Sequence, residues 1–177
     1  EVTYMVAHML SELTEVSDGN VLIIFPSFYE AQKYYKLLDV DNKYLDRIGE
    51  SSKDVKEDFF SKGQSGEKSV LFSYLWGSLT EGVDYSESRA RMVIVVGVGY
   101  PSLSHRMRVI ENAYNEEYGA GTGWSFAIEL PTVRKIRQTV GRIVRSPEDY
   151  GVRVLADVRY SELSIERLGK YSLYKIF

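Results

Sequence analysis

Two arginines and a glutamine follow one another at helical spacing near the C-terminal end of the sequence. They are Gln138, Arg142 and Arg145, and a glycine, Gly141, precedes the first arginine. Positions four and three residues apart share one face of a helix, so the spacing predicts that the three side chains lie together. Two guanidiniums and an amide in one place are suited to binding phosphate oxygens. The alternative is an ordinary solvated helix face whose arginines pair with Asp and Glu elsewhere.

The overall charge does not favour nucleic-acid binding, but its distribution along the chain does. The 177 residues include 22 Lys and Arg against 25 Asp and Glu, a net charge of -3. Because proteins that bind polyanions through bulk charge are usually basic, any such contact must come from local patches. Two segments, residues 88–110 and residues 130–146, contain arginines or lysines but no Asp or Glu.

The composition excludes several kinds of site. The chain has no cysteine and only two histidines, His8 and His105, which excludes thiolate ligands and gives no basis for a metal site. The apolar run from Met92 to Tyr100 is too short to span a bilayer, so we expect no membrane partner. The sequence opens on Glu1 without an initiator Met, and we expect it to be a piece of a longer protein.

Short apolar runs alternate with amphipathic segments along the chain. This alternation predicts an α/β fold with a central, mostly parallel sheet and helices on both faces. The predicted strands are 21–25, 43–48, 69–74, 91–98 and 151–158, and the predicted helices are 2–16, 28–38, 53–60 (ending at Gly63), 104–118 and 124–144. Ligands of such sheets bind beyond the carboxyl ends of the strands. The loops that begin at Ser27, Gly77 and Tyr100 are therefore predicted to meet at one edge and form a site.

The motifs that bind a nucleoside triphosphate are absent. No Walker A loop, G-x-x-x-x-G-K-[ST], occurs, and the segment Gly63 to Ser69 has the wrong spacing and precedes a strand. Gly97-Val98-Gly99 lacks the third glycine of a dinucleotide fingerprint, which disfavours a dinucleotide-dependent enzyme. The chain alone is predicted to be unable to bind and activate ATP, although it has arginines that could complete such a site across a cleft.

Several motifs resemble, in order, those of superfamily 2 helicases of the XPD/DinG family, and the XPD type fits better. Gln138-x-x-Gly141-Arg142-x-x-Arg145 resembles their sixth motif, Gly77-x-x-x-Glu81-Gly82-x-Asp84 the fifth, and Val21 to Phe28 the fourth. The segments Ile94 to Pro101, Asp149-Tyr150-Gly151 and Ala156-Asp157-x-Arg159-Tyr160 also match, so the resemblance covers about residues 21–160.

The resemblance implies that residues 1–177 are the second RecA-like (P-loop NTPase-like) motor domain of a 5'-to-3' DNA helicase that acts in DNA repair, with residues 161–177 as a tail. Its partners would be single-stranded DNA and the first motor domain of the same protein. ATP and Mg²⁺ would bind in the intact enzyme, and an iron–sulfur cluster would lie in the missing part, not in this chain. We expect a cytoplasmic, nucleoid-associated protein if the source is archaeal or bacterial, and a nuclear protein if it is eukaryotic.

The resemblance also implies roles for individual residues. Arg142 and Arg145 would act as arginine fingers on the γ-phosphate, and Gln138 would orient water or a phosphate oxygen. Three residues of the fifth motif would form the ATP-binding loop: Glu81, Gly82 and Asp84.

A second set of residues would contact DNA. Ser27 would hold a backbone phosphate at a helix N-terminus, with similar work from Thr80 and Ser73. Arg89, Arg91 or Arg106 would add charge, and Tyr85, Tyr100 or Phe28 would stack on bases. For each aromatic residue burial in the core is the alternative, and for Ser27 it is a plain helix cap. For the whole chain, the alternative is a stand-alone single-stranded DNA or protein-docking module without ATPase activity.

Overall fold

The chain forms a five-stranded sheet in which all neighbouring strands are parallel. A computed structural model describes residues 1–49 and 51–161. The strands are β1 (Val21–Phe25), β2 (Lys43–Leu45), β3 (Val70–Tyr74), β4 (Met92–Val96) and β5 (Val152–Ala156), in the spatial order β2-β3-β1-β4-β5. The parallel pairings confirm the predicted α/β class. β2 is shorter than predicted, and the predicted tail from residue 162 onward lies outside the described residues.

Helices connect the strands and cover both faces of the sheet. They are α1 (Val2–Val16), α2 (Phe28–Leu37), α3 (Ser52–Ser65), α4 (His105–Tyr118), α5 (Thr122–Trp124) and α6 (Leu130–Val140), with short 3₁₀ turns at Ser78–Thr80, Glu87–Arg89 and Val158–Ser161. The predicted end of α3 at Gly63 is wrong. The helix continues to Ser65 and ends at Gly66, whose positive φ of 79° gives a left-handed cap.

The long helix predicted over 124–144 is interrupted and ends early. A π-helical turn, Ser125–Glu129, separates α5 from α6, and Pro131 lies in the first turn of α6. Proline has no N–H to donate to the preceding turn, so a wider turn before it relieves the mismatch. α6 ends at Val140, with Gly141 as its cap. The arginines at 142 and 145 therefore follow the helix instead of lying in it.

The core has two layers, one on each face of the sheet. Alternate residues of β1 point to opposite sides, so Leu22 and Ile24 belong to one layer while Val21, Ile23 and Phe25 belong to the other. Residues from α3 and α6 complete the first layer: Phe59, Val133, Ile136 and Val140. Residues from α1 and α2 complete the second: Leu10, Ala31 and Tyr34. Both faces of β1 are fully buried, as its continuous apolar sequence predicts.

The two ends of the sheet have different neighbours. At the carboxyl ends of the strands, added Cβ atoms on Gly97 and Gly99 would lie 2.7 Å from Pro26 and 2.8 Å from Leu75. The loops after β1, β3 and β4 therefore pack tightly together, as predicted. α6 runs back toward the amino ends, where the Ile143 side chain lies next to Gly151 at the start of β5.

None of the helices within residues 1–49 and 51–161 is long and apolar enough to cross a membrane. The same residues contain no group of three or more His, Cys, Asp or Glu side chains placed to hold a metal ion.

Candidate functional site

The sixth-motif residues converge on one surface groove, but not for the reason that their spacing predicts. Gln138 is in the last turn of α6, whereas Arg142 and Arg145 are in the loop that follows Val140. The loop turns back on the helix end, with the Arg142 amide donating to the Thr139 carbonyl. A single helical face is thus the wrong explanation for their proximity.

The groove is open, cationic and about 660 Å³ in volume. None of its described lining residues is acidic; they are Arg134, Arg137, Gln138, Gly141, Arg142, Val144 and Arg145. Four guanidiniums in one depression, with one amide between them, form a site for an anion with several oxygens.

The loop of residues 81–85 is fastened to α6 and to the arginine loop. At one end Lys135 of α6, which is largely buried, pairs with Glu81 at 2.6 Å. In the middle, Arg142 Nη1 donates to the Val83 carbonyl at 3.2 Å, while the Tyr85 amide donates to the Arg142 carbonyl at 3.1 Å. The hydrogen bond and charge of Lys135 lower the pKa of the Glu81 carboxyl, so the pair is ionised at neutral pH.

Asp84 supplies the carboxylate that the sequence around the arginines lacks. Its Oδ1 is 3.5 Å from Arg145 Nε, and its Oδ2 is 3.6 Å from Arg89 Nη1. Partial burial would raise the pKa of Asp84, but hydrogen bonds from Ser86 and the charges of Arg145 and Arg89 outweigh it and lower the pKa. Asp84 is therefore a negative charge next to Arg145 at neutral pH.

The two arginines differ in what remains unsatisfied. Arg145 is 52% exposed, and the pair with Asp84 leaves most of its donors facing solvent. The Arg142 Nε is buried, and no partner for it exists in the part of the chain that the structure describes. A buried, charged donor without an acceptor is costly, and a bound anion would relieve that cost.

Gly82 gives the loop its shape. Its φ is +66°, in the left-handed region that favours glycine, while an added Cβ would meet nothing within 4 Å. The backbone is thus open to a ligand on that side, in keeping with the tight approach expected there.

Ser27 lies at the carboxyl edge, where it was predicted to cap α2. Its hydroxyl accepts from the Glu30 amide at 3.3 Å, and the residue is exposed. The cap is confirmed. The first N–H groups of α2 have no partner within the helix, as at any helix N-terminus.

Ser73 and Thr80 do not present their hydroxyls to a ligand. The Ser73 hydroxyl donates to the buried Asp46 carboxylate at 2.7 Å, and the Thr80 hydroxyl donates to the carbonyls of Leu75 and Gly77. Both side chains are buried, so the prediction that they contact DNA is corrected. Asp46 also accepts from the Ser78 hydroxyl and the Leu79 amide, which makes it the anchor of this loop.

Tyr85 belongs to the core. Only 1% of it is exposed, its ring meets Phe59 and Phe60 edge-on, and its hydroxyl donates to the Leu79 carbonyl at 2.7 Å. Burial raises the pKa of this phenol. The ring could reach a base only if the core opened, so the predicted stacking role of Tyr85 is corrected in favour of burial.

The three arginines predicted to bind DNA lie in three different settings. Arg91 precedes β4 at the amino edge, where it pairs with Asp149 at 3.0 Å and lies over the Tyr150 ring, so its prediction as a DNA contact is corrected. Arg89 is next to Asp84 and over the Phe60 ring, which places it beside the loop of residues 81–85. Arg106 is exposed in the first turn of α4, which follows the carboxyl end of β4.

The sequence of this chain matches the model of one protein family. The model is described as a helicase C-terminal domain, and it matches residues 10–172, most of the chain. The chain belongs to the helicase C-terminal domain family. The expected helicase membership is thereby confirmed, and solved XPD structures confirm the RecA-like fold.

Individual relatives agree with the family. The chain is 28% identical over 170 residues to the ATP-dependent DNA helicase chl1 of Schizosaccharomyces pombe, which covers 86% of this chain and 20% of that protein. It is 24% identical over 175 residues to a regulator of telomere elongation helicase 1 homolog of Drosophila sechellia. That match covers 88% of this chain and 18% of the Drosophila protein. The chain therefore spans about a fifth of the length of these relatives.

Two solved structures share the fold. An XPD helicase superposes with a TM-score of 0.73 at 22% identity, over 88% of this chain and 28% of that one. Xpd4 of S. tokodaii superposes with a TM-score of 0.66 at 22% identity, over 90% and 31%.

Three residues that hold this helicase C-terminal domain together gave no recognisable signal in the sequence. Lys135 lies within a basic run and Asp46 near a short strand, and neither position marks a buried ion pair or a loop anchor. Asn20, directly before β1, is fully buried although it is polar. Its side chain accepts from Ser69 and donates to the carbonyls of Phe59 and Arg89, so it ties α3 to the strands.

The cofactors of the sequence prediction fit this helicase domain unequally. The arginine groove suits the phosphate oxygens of ATP, because its donors are cationic and the Nε of Arg142 has no hydrogen-bond acceptor among the described residues. No described cluster suits Mg²⁺, and the chain has no cysteine to ligate an iron–sulfur cluster.

Proposed function

We propose that this chain is the second motor domain of an ATP-dependent 5'-to-3' DNA helicase of the XPD type that acts in DNA repair. The observation that carries the proposal is the cationic groove lined by Gln138, Arg142 and Arg145, with Arg145 paired to Asp84. ATP would be held by the first motor domain of the same protein and would supply the phosphoanhydride bond. The residues of this chain would complete the site from across the cleft.

Each groove residue has a separate task in this proposal. Arg145, largely exposed and held by one ion pair, would exchange Asp84 for the γ-phosphate oxygens and stabilise the charge that develops there. Arg142, whose guanidinium is tied to Val83 but whose Nε has no acceptor, would hold a second oxygen. Gln138 is exposed at the helix end and would orient water or a phosphate oxygen.

The fifth-motif loop would respond to the nucleotide through these same contacts. Glu81 anchors the loop to Lys135, Asp84 holds Arg145, and Gly82 leaves the backbone accessible between them. Loss of the γ-phosphate would return Arg145 to Asp84 and open the cleft between the two motor domains, which would drive stepping along the strand.

The single strand would cross the carboxyl edge of the sheet. Ser27 and the N–H groups of the first turn of α2 would bind a backbone phosphate, with Arg106 adding charge nearby. The chain's net charge is -3, so this contact would be local and only moderately dependent on salt.

The test is Arg145→Ala in the full-length protein. An arginine finger contributes about 10³ or more to the rate, so DNA-stimulated ATPase activity should fall by at least about a thousandfold. Because Arg145 is exposed, the stability of the fold should change by less than about 0.5 kcal/mol.

Arg153→Ala is the matched control, since Arg153 is an exposed arginine of β5 that does not line the groove. It should leave the ATPase rate unchanged, and single-stranded DNA affinity should stay within about twofold in both variants. Near-normal turnover by Arg145→Ala would remove the arginine-finger assignment.

A stand-alone binding module remains the second candidate, because no Walker A loop is present. Such a module would bind single-stranded DNA tightly without a partner domain, whereas half of a motor should bind it weakly. The affinity of the 177-residue chain alone discriminates between the two.

A further inference from the structure

An exposed tryptophan lies directly over the carboxyl end of the central strand. Trp76 follows β3, and its indole Nε1 donates to the Gly99 carbonyl, which follows β4, at 3.1 Å. β1 lies between β3 and β4 in the sheet, so this hydrogen bond crosses the end of β1. The close approach of Gly99 to Leu75 and Pro26 shows how tightly the three loops are packed beneath the indole.

The indole is held in place and yet remains partly accessible. Trp76 is 42% exposed, although tryptophan gains more from burial than most side chains. The hydrogen bond to Gly99 fixes one edge of the ring, and Lys135 Nζ lies over it, 5.6 Å from the ring centroid. Lys135 is itself fixed by its ion pair with Glu81. A large aromatic surface that is both rigid and exposed costs little conformational entropy when it binds a ligand.

The Trp76 ring and Ser27 both lie at the carboxyl edge of the sheet, which suggests what the ring binds. Ser27 is the N-cap of α2 and follows Pro26 at the end of β1, while the Trp76 indole hydrogen-bonds to Gly99 after the neighbouring strand β4. A single strand whose phosphate lies at this helix N-terminus presents bases to the neighbouring surface. Every base has a π-face, so stacking on an aromatic ring tolerates any sequence.

We propose that Trp76 stacks on a base of the single-stranded DNA whose backbone phosphate lies at Ser27. This inference rests on the proposed function and adds a residue to it. Trp76 would supply sequence-independent affinity at one nucleotide position, while Ser27 and Arg106 would supply phosphate contacts.

The test is binding of the full-length protein to a fluorescently labelled oligonucleotide in which one nucleotide at a time is abasic. Stacking of one base is worth about tenfold in affinity, so the wild-type protein should lose about tenfold at the position that faces Trp76. Trp76→Ala should lose about tenfold on the intact oligonucleotide and should lose nothing further at that same abasic position. Trp76→Phe, which keeps an aromatic ring but loses the N–H, should recover most of the affinity.

Tyr118→Ala is the control, because Tyr118 is an exposed aromatic at the far end of α4 and contacts only Tyr114 and Phe126 among the aromatic rings of the described chain. It should leave the affinity and the abasic profile unchanged. The slope of affinity with salt should be equal in wild type and Trp76→Ala, since stacking releases no counterions.

The outcomes separate this inference from the proposed function. If Trp76→Ala binds within twofold of wild type, or remains sensitive at every abasic position, Trp76 does not stack on a base, while salt-dependent binding would leave the proposed function intact. If the wild-type protein binds no single-stranded DNA, the proposed function fails as well. Should Trp76→Ala fail to fold, the wild-type abasic profile compared with that of Trp76→Phe decides: equal profiles without any sensitive position overturn the inference.

Discussion

The ion pair between Arg145 and Asp84 would position the guanidinium and still leave it able to bind a ligand. The two charged groups are 3.5 Å apart and both partly exposed, so their pairing contributes little to stability. A weak pair orients the guanidinium toward the groove and yields to a ligand with more negative charge. The lowered pKa of Asp84 keeps its carboxylate ionised, so the ion pair with Arg145 is present at neutral pH.

Tyr85 gives a residue-level test of the corrected assignment. Removal of its hydroxyl in Tyr85→Phe leaves the Leu79 carbonyl without its buried donor, so the free energy of unfolding should fall by about 1 to 2 kcal/mol. Urea unfolding of the 177-residue chain measures this. Tyr29→Phe, at an exposed tyrosine, should change stability by less than about 0.5 kcal/mol.

Single-stranded DNA affinity provides the second readout for Tyr85. It should be unchanged in Tyr85→Phe, because a core residue does not touch the strand. A variant of normal stability that bound DNA several-fold more weakly would restore the stacking role.

Residue types and spacing identified the arginine groove but not the orientation of small polar side chains. Gln138, Arg142 and Arg145 were grouped correctly. They are close in sequence, and no acidic residue between positions 130 and 146 separates them by pairing locally. Ser73 and Thr80 were assigned to DNA because hydroxyls bind phosphates, yet a hydroxyl can equally satisfy a buried carboxylate or carbonyl. Which of the two occurs depends on partners distant in sequence, such as Asp46.

At the scale of elements, the segment Asp149-Tyr150-Gly151 fastens β5 to the loop before β4. Asp149 accepts from the Glu87 amide at 3.0 Å, from Arg91 Nη1 at 3.0 Å and from the Tyr150 amide at 2.9 Å. Arg91 also lies 4.0 Å from the centroid of the Tyr150 ring. An added Cβ on Gly151 would approach Ile143 to 2.9 Å. The sequence match at this segment thus has a structural reason.

The contacts of Asp149 with Glu87, Arg91 and Tyr150, here called the Asp149 clamp, predict a free energy of unfolding that depends on pH. The hydrogen bond from the Glu87 amide, with those of Tyr150 and Arg91, lowers the pKa of Asp149 despite opposing burial. An acid whose folded pKa is below its unfolded value of about 3.9 stabilises the fold above that pH and loses the contribution as pH falls through the folded pKa. Asp149→Asn should therefore lower the free energy of unfolding by about 1 to 3 kcal/mol at pH 7.

Urea unfolding between pH 7 and pH 3 checks the sign. The difference between wild type and Asp149→Asn should narrow below about pH 4, because the wild-type carboxyl then becomes protonated too. Asp39→Asn, at an exposed position, serves as the control and should show no such difference. A difference that stays constant or widens on acidification would mean that the carboxylate charge is not what stabilises the clamp.

Most elements were predictable, and the exceptions have local causes. β1 and β4 are continuous apolar runs, and β3 is apolar except for Ser73, which is typical of strands buried on both faces. The long predicted helix contains a π-helical turn shortly before Pro131, and it ends at Val140, with Gly141 as its cap. The strand order β2-β3-β1-β4-β5 was not predictable, since it depends on crossovers that composition does not encode.

At the scale of the whole molecule, the two proposed functions lie on different surfaces of one rigid sheet. The carboxyl edge carries Ser27 and Trp76, while the arginine groove lies at the end of α6, toward the amino edge. The loop from Trp76 to Asp84 reaches from one to the other, with Lys135 fixed to it at Glu81. The loops after β1, β3 and β4 therefore meet at one edge as predicted, whereas the loop that carries Arg142 and Arg145 follows the end of α6.

This arrangement leaves the chain with half of a catalytic site. In the proposed function its arginines would neutralise developing charge, yet the chain has no Walker A loop to cradle the phosphates. The 177-residue chain alone should therefore hydrolyse no ATP above the buffer rate, with or without single-stranded DNA. Phosphate release at millimolar ATP measures this, with full-length protein as the positive control. A fragment carrying Arg145→Ala is the matched comparison: if the pure wild-type chain turned over ATP and this substitution abolished the activity, the chain would contain a complete site, and its role as one half of a two-domain motor would have to be abandoned.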